Sequence, residues 1–421
     1  MQSNFDVVIV GASFSGLTLA HHLPPSLRVL IIDVKPAALH MVESTGLITV
    51  RTREEFSEFF PIDQYITNPI TTICVVAPDF QEHFFSTTSE PWIYQTDTRG
   101  LMKHLAETLP AHVTYESSAL LVGVDRAADD GLVQAVDILQ NGVKYRITTH
   151  FLVGADGGRS KVASLIPELH RNTRFLMGSE KVFFGEVHLG PNPEETIYHF
   201  WFGEFSLGYG GWLSPTVIDG KKAFRIGLAK LQKDVGEIQE LMTKFTKLLA
   251  DNGTITIHGD PEKAYYSFGS PIPMSGTLSC VFSGNALLVG DAAGLCGAFA
   301  ADGIKGSVVS GKVAAPLIEA FLGGDAGALS AFHNRVNEHG NLMEYYARQV
   351  RYRWIWDRMK SNRTFRAMYD IISAERDSFL DQFCDSKDKR KSLAWVVLKV
   401  KHLWKLVVYS WYIFLDFFVR R

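Results

Sequence analysis

The chain has 421 residues, 46% hydrophobic and 21% charged, with 4 cysteines and a net charge of −3. That length predicts two or three domains, and that composition excludes a wholly disordered, collagen-like or coiled-coil chain. Cys74, Cys280, Cys296 and Cys384 are too scattered for a CxxC pair, a disulfide framework or a zinc site, so the expectation is a reducing compartment and no metal.

The amino terminus, MQSNFDVVIVGASFSG, lacks the basic region of a signal peptide, and the mature protein is expected to start at Met1. Phe5 to Val10 is a short apolar, β-branched run that predicts a buried parallel strand. Gly11-Ala12-Ser13-Phe14-Ser15-Gly16 follows, then a helix-spaced LTLAHHL. Gly11 permits a tight bend, Gly16 permits close helix–strand packing, and the free N–H groups of the helix start suit a pyrophosphate. Ser13 stands where a second glycine is usual and narrows the approach without closing it. The next strand, Arg28 to Ile32, ends at Asp33, whose carboxylate suits a ribose hydroxyl pair.

Residues 67–95 and about 175–275 interrupt this pattern with aromatic, β-branched segments such as Lys181 to His188 and Thr196 to Phe202, which predict one sheet assembled from two insertions. Between the insertions, Phe151 to Ser160 (FLVGADGGRS) reads as a buried strand ending at Asp156-Gly157. Beyond the second, Ala286 to Gly294 (ALLVGDAAG) reads as another, ending at Gly290-Asp291 before small residues that permit close backbone approach to a ligand.

Composition changes near residue 330. Residues 331–421 hold 18 Lys+Arg against 10 Asp+Glu, with one glycine and no proline, which predicts a basic helical tail behind an acidic body. No nucleic-acid signature accompanies it. Over Lys401 to Arg421, the polar residues Lys401, Lys405, Tyr409, Tyr412, Asp416 and Arg420 form a narrow stripe on an otherwise apolar helix. Seventeen residues from Leu403 to Val419, with Lys405 and Asp416 among them, predict a helix lying at a membrane surface over 394–421 rather than a span. The same stripe also fits a helix docked on its own protein or a partner subunit.

With its three strand-end motifs at Gly11–Gly16 with Asp33, Asp156-Gly157 and Gly290-Asp291, the chain resembles, over roughly residues 4–335, FAD-dependent oxidoreductases of the p-hydroxybenzoate hydroxylase type and, within them, the geranylgeranyl reductase-like branch. The resemblance implies an α/β fold: a Rossmann-like FAD-binding domain of the GR2/p-hydroxybenzoate hydroxylase type (1–66, 96–174 and 276–335), an inserted antiparallel β-sheet substrate domain (67–95 and 175–275) and a C-terminal helical extension (336–421). It implies FAD contacts from Gly11, Ser13, Gly16, Asp33, Asp156, Gly157, Gly290 and Asp291. Arg99 matches the arginine that opens the family's next helix, and Gly303 and Ile304 match backbone N–H groups beside the flavin pyrimidine edge.

Gly208-Tyr209-Gly210-Gly211-Trp212-Leu213-Ser214-Pro215 resembles the branch's Tyr-x-Trp-x-Phe-Pro signature, with an extra glycine and Ser214 for Phe. Tyr209, Trp212 and Cys296 are therefore the substrate-pocket candidates, and a core role for Trp212 and Cys296 is the alternative. Three departures stand out: Ser44-Thr45-Gly46 replaces a Cys-Gly pair, Ala298 replaces a proline, and Ala301 replaces a glycine of the flavin loop. The implied activity is reduction of carbon–carbon double bonds of an isoprenoid or other apolar substrate by hydride transfer from reduced flavin. The alternative is a monooxygenase that hydroxylates or epoxidises an apolar or aromatic substrate; a flavin-dependent halogenase and an FAD-free prenyl carrier rank lower, since the halogenase Trp-x-Trp-x-Ile-Pro stretch is broken at Gly210 and Ser214. NAD(P)H or a ferredoxin-like partner would supply electrons, and the expected location is cytoplasmic, peripheral on the membrane if the last helix meets lipid. Catalytic residues, substrate identity and oligomeric state are not legible.

Overall fold

The computed structural model describes residues 3–36, 44–86, 90–188, 197–201, 203–204, 210–218, 220–231, 236, 238–374 and 402–418. In chain order, the elements that build the site begin with strand β1 (Asn4–Val10), helix α1 (Phe14–His22), strand β2 (Val29–Ile32), helix α2 (Thr98–Glu107) and strand β3 (Val143–Gly154). Strands β4 (Phe175–Val187), β5 (Gly211–Ile218) and β6 (Lys221–Leu231), helix α3 (Ile238–Asp251) and strand β7 (Ala286–Leu288) follow. The chain continues in helices α4 (Ile304–Leu322), α5 (Leu342–Trp356), α6 (Asn362–Ile372) and α7 (Leu403–Asp416).

Two compact units are drawn from this chain: residues 1–42, 98–175 and 272–350 form one, and residues 43–97, 176–271 and 351–421 the other. The first is built on a sheet in which β7, β3, β1, β2 and Val113–Glu116 lie side by side, all parallel. β1 is the first strand in sequence and sits inside the sheet, with β2 on one side and β3 on the other. Chain order therefore reverses at β1, and the carboxyl ends of β1 and β3 flank a topological switch point, where open α/β sheets hold ligands. The β-branched FDVVIV, VLII and FLV runs are buried on both faces, as a central parallel strand requires.

The second unit holds a larger sheet ordered Ile255–Ile257, β4, β6, β5, Ile197–Trp201, Thr72–Val76, Glu82–Ser86. Its neighbours are antiparallel except Ile197–Trp201 with Thr72–Val76, which are parallel. Period-2 alternation sends Leu213, Phe224, Ile226 and Leu228 to one face, where Met242, Phe245 and Leu249 of the amphipathic α3 cover them. Trp212, Arg225 and Gly227 consequently point to the opposite face. The tail is helical where it is described: Asp416 of α7 accepts hydrogen bonds from Lys360 N (2.7 Å), Ser361 N (3.0 Å) and Thr364 Oγ1 (2.7 Å), capping the start of α6 from another helix.

Candidate functional site

The strand register brings the three strand-end motifs to one edge. Val10 is level with Ile32 on one side and Gly154 on the other, and Gly154 is level with Leu288, so the chain leaves all four strands at the same height. Backbone bonds continue the ladder past the strand ends: Gly11 N donates to Ile32 O, Ala155 N to Val10 O and Val289 N to Gly154 O, at 2.8, 2.8 and 2.9 Å. Gly11 has φ +107, and a Cβ there would lie 2.2 Å from Ala155 O, so both its conformation and its neighbour demand glycine.

Ser13 is the N-cap of α1 and makes no side-chain cap, which leaves the helix start open to an anion. Asp33, at the end of β2, accepts a hydrogen bond from Ala12 N on Oδ2 and from Lys35 N on Oδ1, both at 2.7 Å, so the carboxylate is fixed beside the turn. Gly16 packs within α1 against Gly11 and Ala155. Asp156 uses Oδ2 to accept from Lys161 N (2.6 Å) and Val162 N (3.0 Å), capping the short helix that follows, while its buried Oδ1 has no partner among the described residues. Burial pushes the Asp156 acid up, against opposing hydrogen bonds from Ser160 and the helix start. Gly157 has φ +75 and open space at its Cβ position.

Gly290 N donates to Ser310 Oγ at 2.9 Å, anchoring the third motif to α4. The Asp291 side chain retains some accessible surface, yet protein surrounds it and desolvation alone pushes its acid up to about 6. No hydrogen bond reaches that carboxylate among the described residues. A Cβ on Gly303 would lie 2.8 Å from Asp291 Oδ1 and 3.2 Å from Cys296 Sγ, so these three residues meet at one point. Gly303 is also the N-cap of the 19-residue α4, without a side-chain cap, which turns the positive end of that helix and Ile304 toward the same recess. The Cys296 thiol is buried and held far above its ordinary range by desolvation and by Asp291 and Asp302, so it stays a neutral thiol.

Several organising residues carry no signal in the sequence. Asn172 Nδ2 donates to both Gly158 O (3.0 Å) and Asp291 O (2.9 Å), tying the second motif to the third. The loop from Gly297 to Gly303 is held by α5: Gln349 Oε1 accepts from Phe299 N and Ala300 N at 3.0 and 2.8 Å, and Asp302 accepts from Tyr345 OH (2.6 Å) and Gln349 Nε2 (3.0 Å) on its carboxylate and from Tyr346 OH (3.1 Å) on its carbonyl. Ala301 adopts the left-handed conformation, φ +57, that favours glycine. Arg99 is the second residue of α2 and stands exposed.

Within the second unit, Trp212 is buried opposite Gly227, where a Cβ would lie 2.0 Å from the indole ring. Its Nε1 donates to Glu180 Oε2 at 2.8 Å, and Arg225 Nη1 reaches Glu180 Oε1 at 3.3 Å and Thr45 O at 3.0 Å. Glu180 is fully buried, which raises its acid against the pull of Arg225 and Trp212. This chain of contacts anchors the Ser44-Thr45-Gly46 segment, together with Thr96, which donates to Gly46 O through N and Oγ1 at 3.0 and 2.8 Å. Tyr209 lies outside the described residues.

An uncapped helix start for phosphate, two carboxyl groups with unclaimed oxygens for sugar hydroxyls and a second open helix start beside them suit a flavin dinucleotide, and the arrangement is that of a flavoprotein of the doubly wound class. The chain belongs to the FAD-binding domain family, whose model matches residues 4–335. It is 24% identical over 445 residues to digeranylgeranylglycerophospholipid reductase 3 of Methanosphaera stadtmanae, covering 95% of this chain and 97% of that one. It is 28% identical over 173 residues to the FAD-dependent monooxygenase ptmM of Penicillium ochrochloron, covering 39% of each. The crystal structure of a geranylgeranyl bacteriochlorophyll reductase-like protein from Thermoplasma acidophilum superposes with a TM-score of 0.75 at 17% identity, covering 96% of this chain and 99% of that one, and shares its fold. The protein is accordingly an FAD-dependent oxidoreductase.

Proposed function

We propose that this enzyme reduces carbon–carbon double bonds of an isoprenoid or similarly apolar substrate. The observation that carries the reading is extent: similarity to the lipid reductase runs through 95% of the chain, C-terminal region included, whereas similarity to the monooxygenase stops at 39%. Bound FAD supplies the two-electron chemistry. The residues around it bind and orient. The open start of α1 and the Asp33 carboxylate would hold the adenosine diphosphate half, and Asp156 and Asp291 would accept hydrogen bonds from the sugar and ribityl hydroxyls. Gly303 and Ile304 present the positive end of α4, which favours negative charge developing beside it. The Asp302 clamp from Tyr345, Tyr346 and Gln349 keeps that helix start in place. Within the second unit, Trp212 is held rigid by Glu180 and packs against Gly227, as an aromatic side chain offered to an apolar substrate would be.

The test is turnover of the FAD-loaded protein under argon, with dithionite as reductant and a geranylgeranyl lipid as substrate, read by mass spectrometry. Products heavier by two hydrogens per double bond support reduction. A product that forms only with oxygen and is one oxygen atom heavier overturns it and establishes the monooxygenase instead.

A further inference from the structure

α7 turns Tyr409 and Asp416 of its polar stripe inward and leaves Lys405 exposed. His402, Tyr409 and Asp416, seven residues apart, are buried. Tyr409 OH meets Met359 Sδ at 2.8 Å, and Asp416 caps α6. Hydrogen bonds from Ser361, Lys360 and Thr364 overcome the effect of burial and hold the Asp416 acid low, so it stays charged there. The outward face is Leu403, Trp404, Val407, Trp411, Phe414 and Phe418, each between 51% and 75% exposed. An ordinary surface helix is oriented the opposite way. A contiguous row of large apolar side chains left in water marks an interaction surface.

The surroundings select the occupant. Trp354, exposed, carries the Arg358 guanidinium 3.5 Å above its ring, and Phe417 lies 5.9 Å from the same guanidinium. Beside the row, α6 and α7 border an open cleft of about 560 Å³, lined by Asp79, Arg363, Arg366, Asp370, Trp404 and Lys405 among others. Arg366 is neutralised there by Asp79 and Asp370. Arg363 lies over the Tyr412 ring and Lys405 donates to the Asp370 carbonyl, and neither is paired with a carboxylate among the described residues. The outward face carries no acid, since the one carboxylate of α7 is turned inward. Tryptophan and phenylalanine flanked by unpaired cations complement the boundary of a bilayer with anionic phospholipids. At 14 residues, α7 is roughly 21 Å long at 1.5 Å per residue, short of the hydrocarbon thickness. Among the described residues no helix is long and apolar enough to cross a membrane.

We infer that α7 is a membrane-docking helix that lies in the interface, its outward row entering the boundary between headgroups and acyl chains while Arg363 and Lys405 meet anionic phosphates at the cleft. The inference rests on the second unit alone and holds whether the enzyme reduces or oxygenates.

The experiment is co-sedimentation of the full FAD-loaded chain with vesicles of phosphatidylcholine alone and of phosphatidylcholine with one-quarter phosphatidylglycerol. Wild type is expected to bind the anionic vesicles more tightly. An Arg363→Gln/Lys405→Gln variant loses about 25-fold on the anionic vesicles, about fivefold for each charge, and little on the neutral ones. A Trp404→Ser/Trp411→Ser variant loses more than about tenfold on both. Flavin absorbance and circular dichroism confirm that each variant is folded, and the charge variant, altered only at exposed cations, tests the idea should the tryptophan variant fail to fold. Wild type and both folded variants sedimenting alike would overturn the inference. So would wild type that ignores vesicles but forms a dimer in light scattering that the tryptophan variant dissolves, which would assign the face to a second copy of the chain.

Discussion

Replacing Asp291 by asparagine separates the cost of this side chain to the fold from its value to the cofactor. Desolvation raises its acid from the ordinary carboxylate range to about 6, so at neutral pH and above the ionised form costs the flavin-free fold about 3 kcal/mol. Because the folded-state value is raised, the protonated form is favoured by folding. This contribution to stability is complete below about pH 4 and is lost as pH rises through about 6. Asp291→Asn removes the dependence, so the flavin-stripped variant should exceed wild type by about 3 kcal/mol at pH 8 and match it near pH 4. FAD affinity should move the other way: a hydrogen bond to a charged acceptor is worth about 1.5–3 kcal/mol, so the variant should bind FAD about 10- to 150-fold more weakly. Urea unfolding of both flavin-stripped proteins at the two pH values, with FAD titrations followed by flavin fluorescence, measures each quantity. Equal stabilities at pH 8 would refute the desolvated, unpartnered carboxylate, and unchanged FAD affinity would refute its place in the site.

Gly11→Ala should cost more than about 3 kcal/mol, since φ +107 strains an L-residue and the new Cβ would stand 2.2 Å from Ala155 O; a thermal melt within a few degrees of wild type would contradict this. Glu180→Ala leaves Arg225 half-buried and uncompensated and frees the Trp212 indole, so stability should fall by about 3 kcal/mol in urea with a changed near-ultraviolet circular dichroism spectrum. Cys296, a neutral buried thiol, should resist iodoacetamide at pH 8 in the native protein while the half-buried Cys280 is alkylated first; mass spectrometry showing the reverse order would remove the account of the Cys296 environment.

Local chemistry decided much of what the sequence could say. The short, β-branched apolar runs at Phe5–Val10, Arg28–Ile32, Phe151–Val153 and Ala286–Val289 become parallel strands buried on both faces, where such a pattern fits. Gly11 marks its turn because no other residue accepts that φ so close to a neighbouring carbonyl. Periodicity likewise marked the polar stripe on α7. What periodicity cannot supply is direction. A stripe of tyrosine and aspartate beside a row of tryptophan and phenylalanine is the same pattern whichever side faces the protein, and here the carboxylate of Asp416 was drawn inward by the unpaired N–H groups at the start of α6.

The same limit applies to Glu180, Asn172 and the Asp302 clamp. A buried polar residue gains its meaning from partners distant in the chain, such as Trp212, 32 residues from Glu180, or Asp291, 119 residues from Asn172. Sequence spacing holds no record of those distances. The sequence by itself determined which strands end in ligand-facing turns, because backbone conformation and strand burial are dictated within a few residues. Only the tertiary structure decided which carboxyl oxygens remain unclaimed, which cations remain unpaired and which helix face meets the surroundings, because desolvation and hydrogen bonding depend on what the rest of the chain brings alongside.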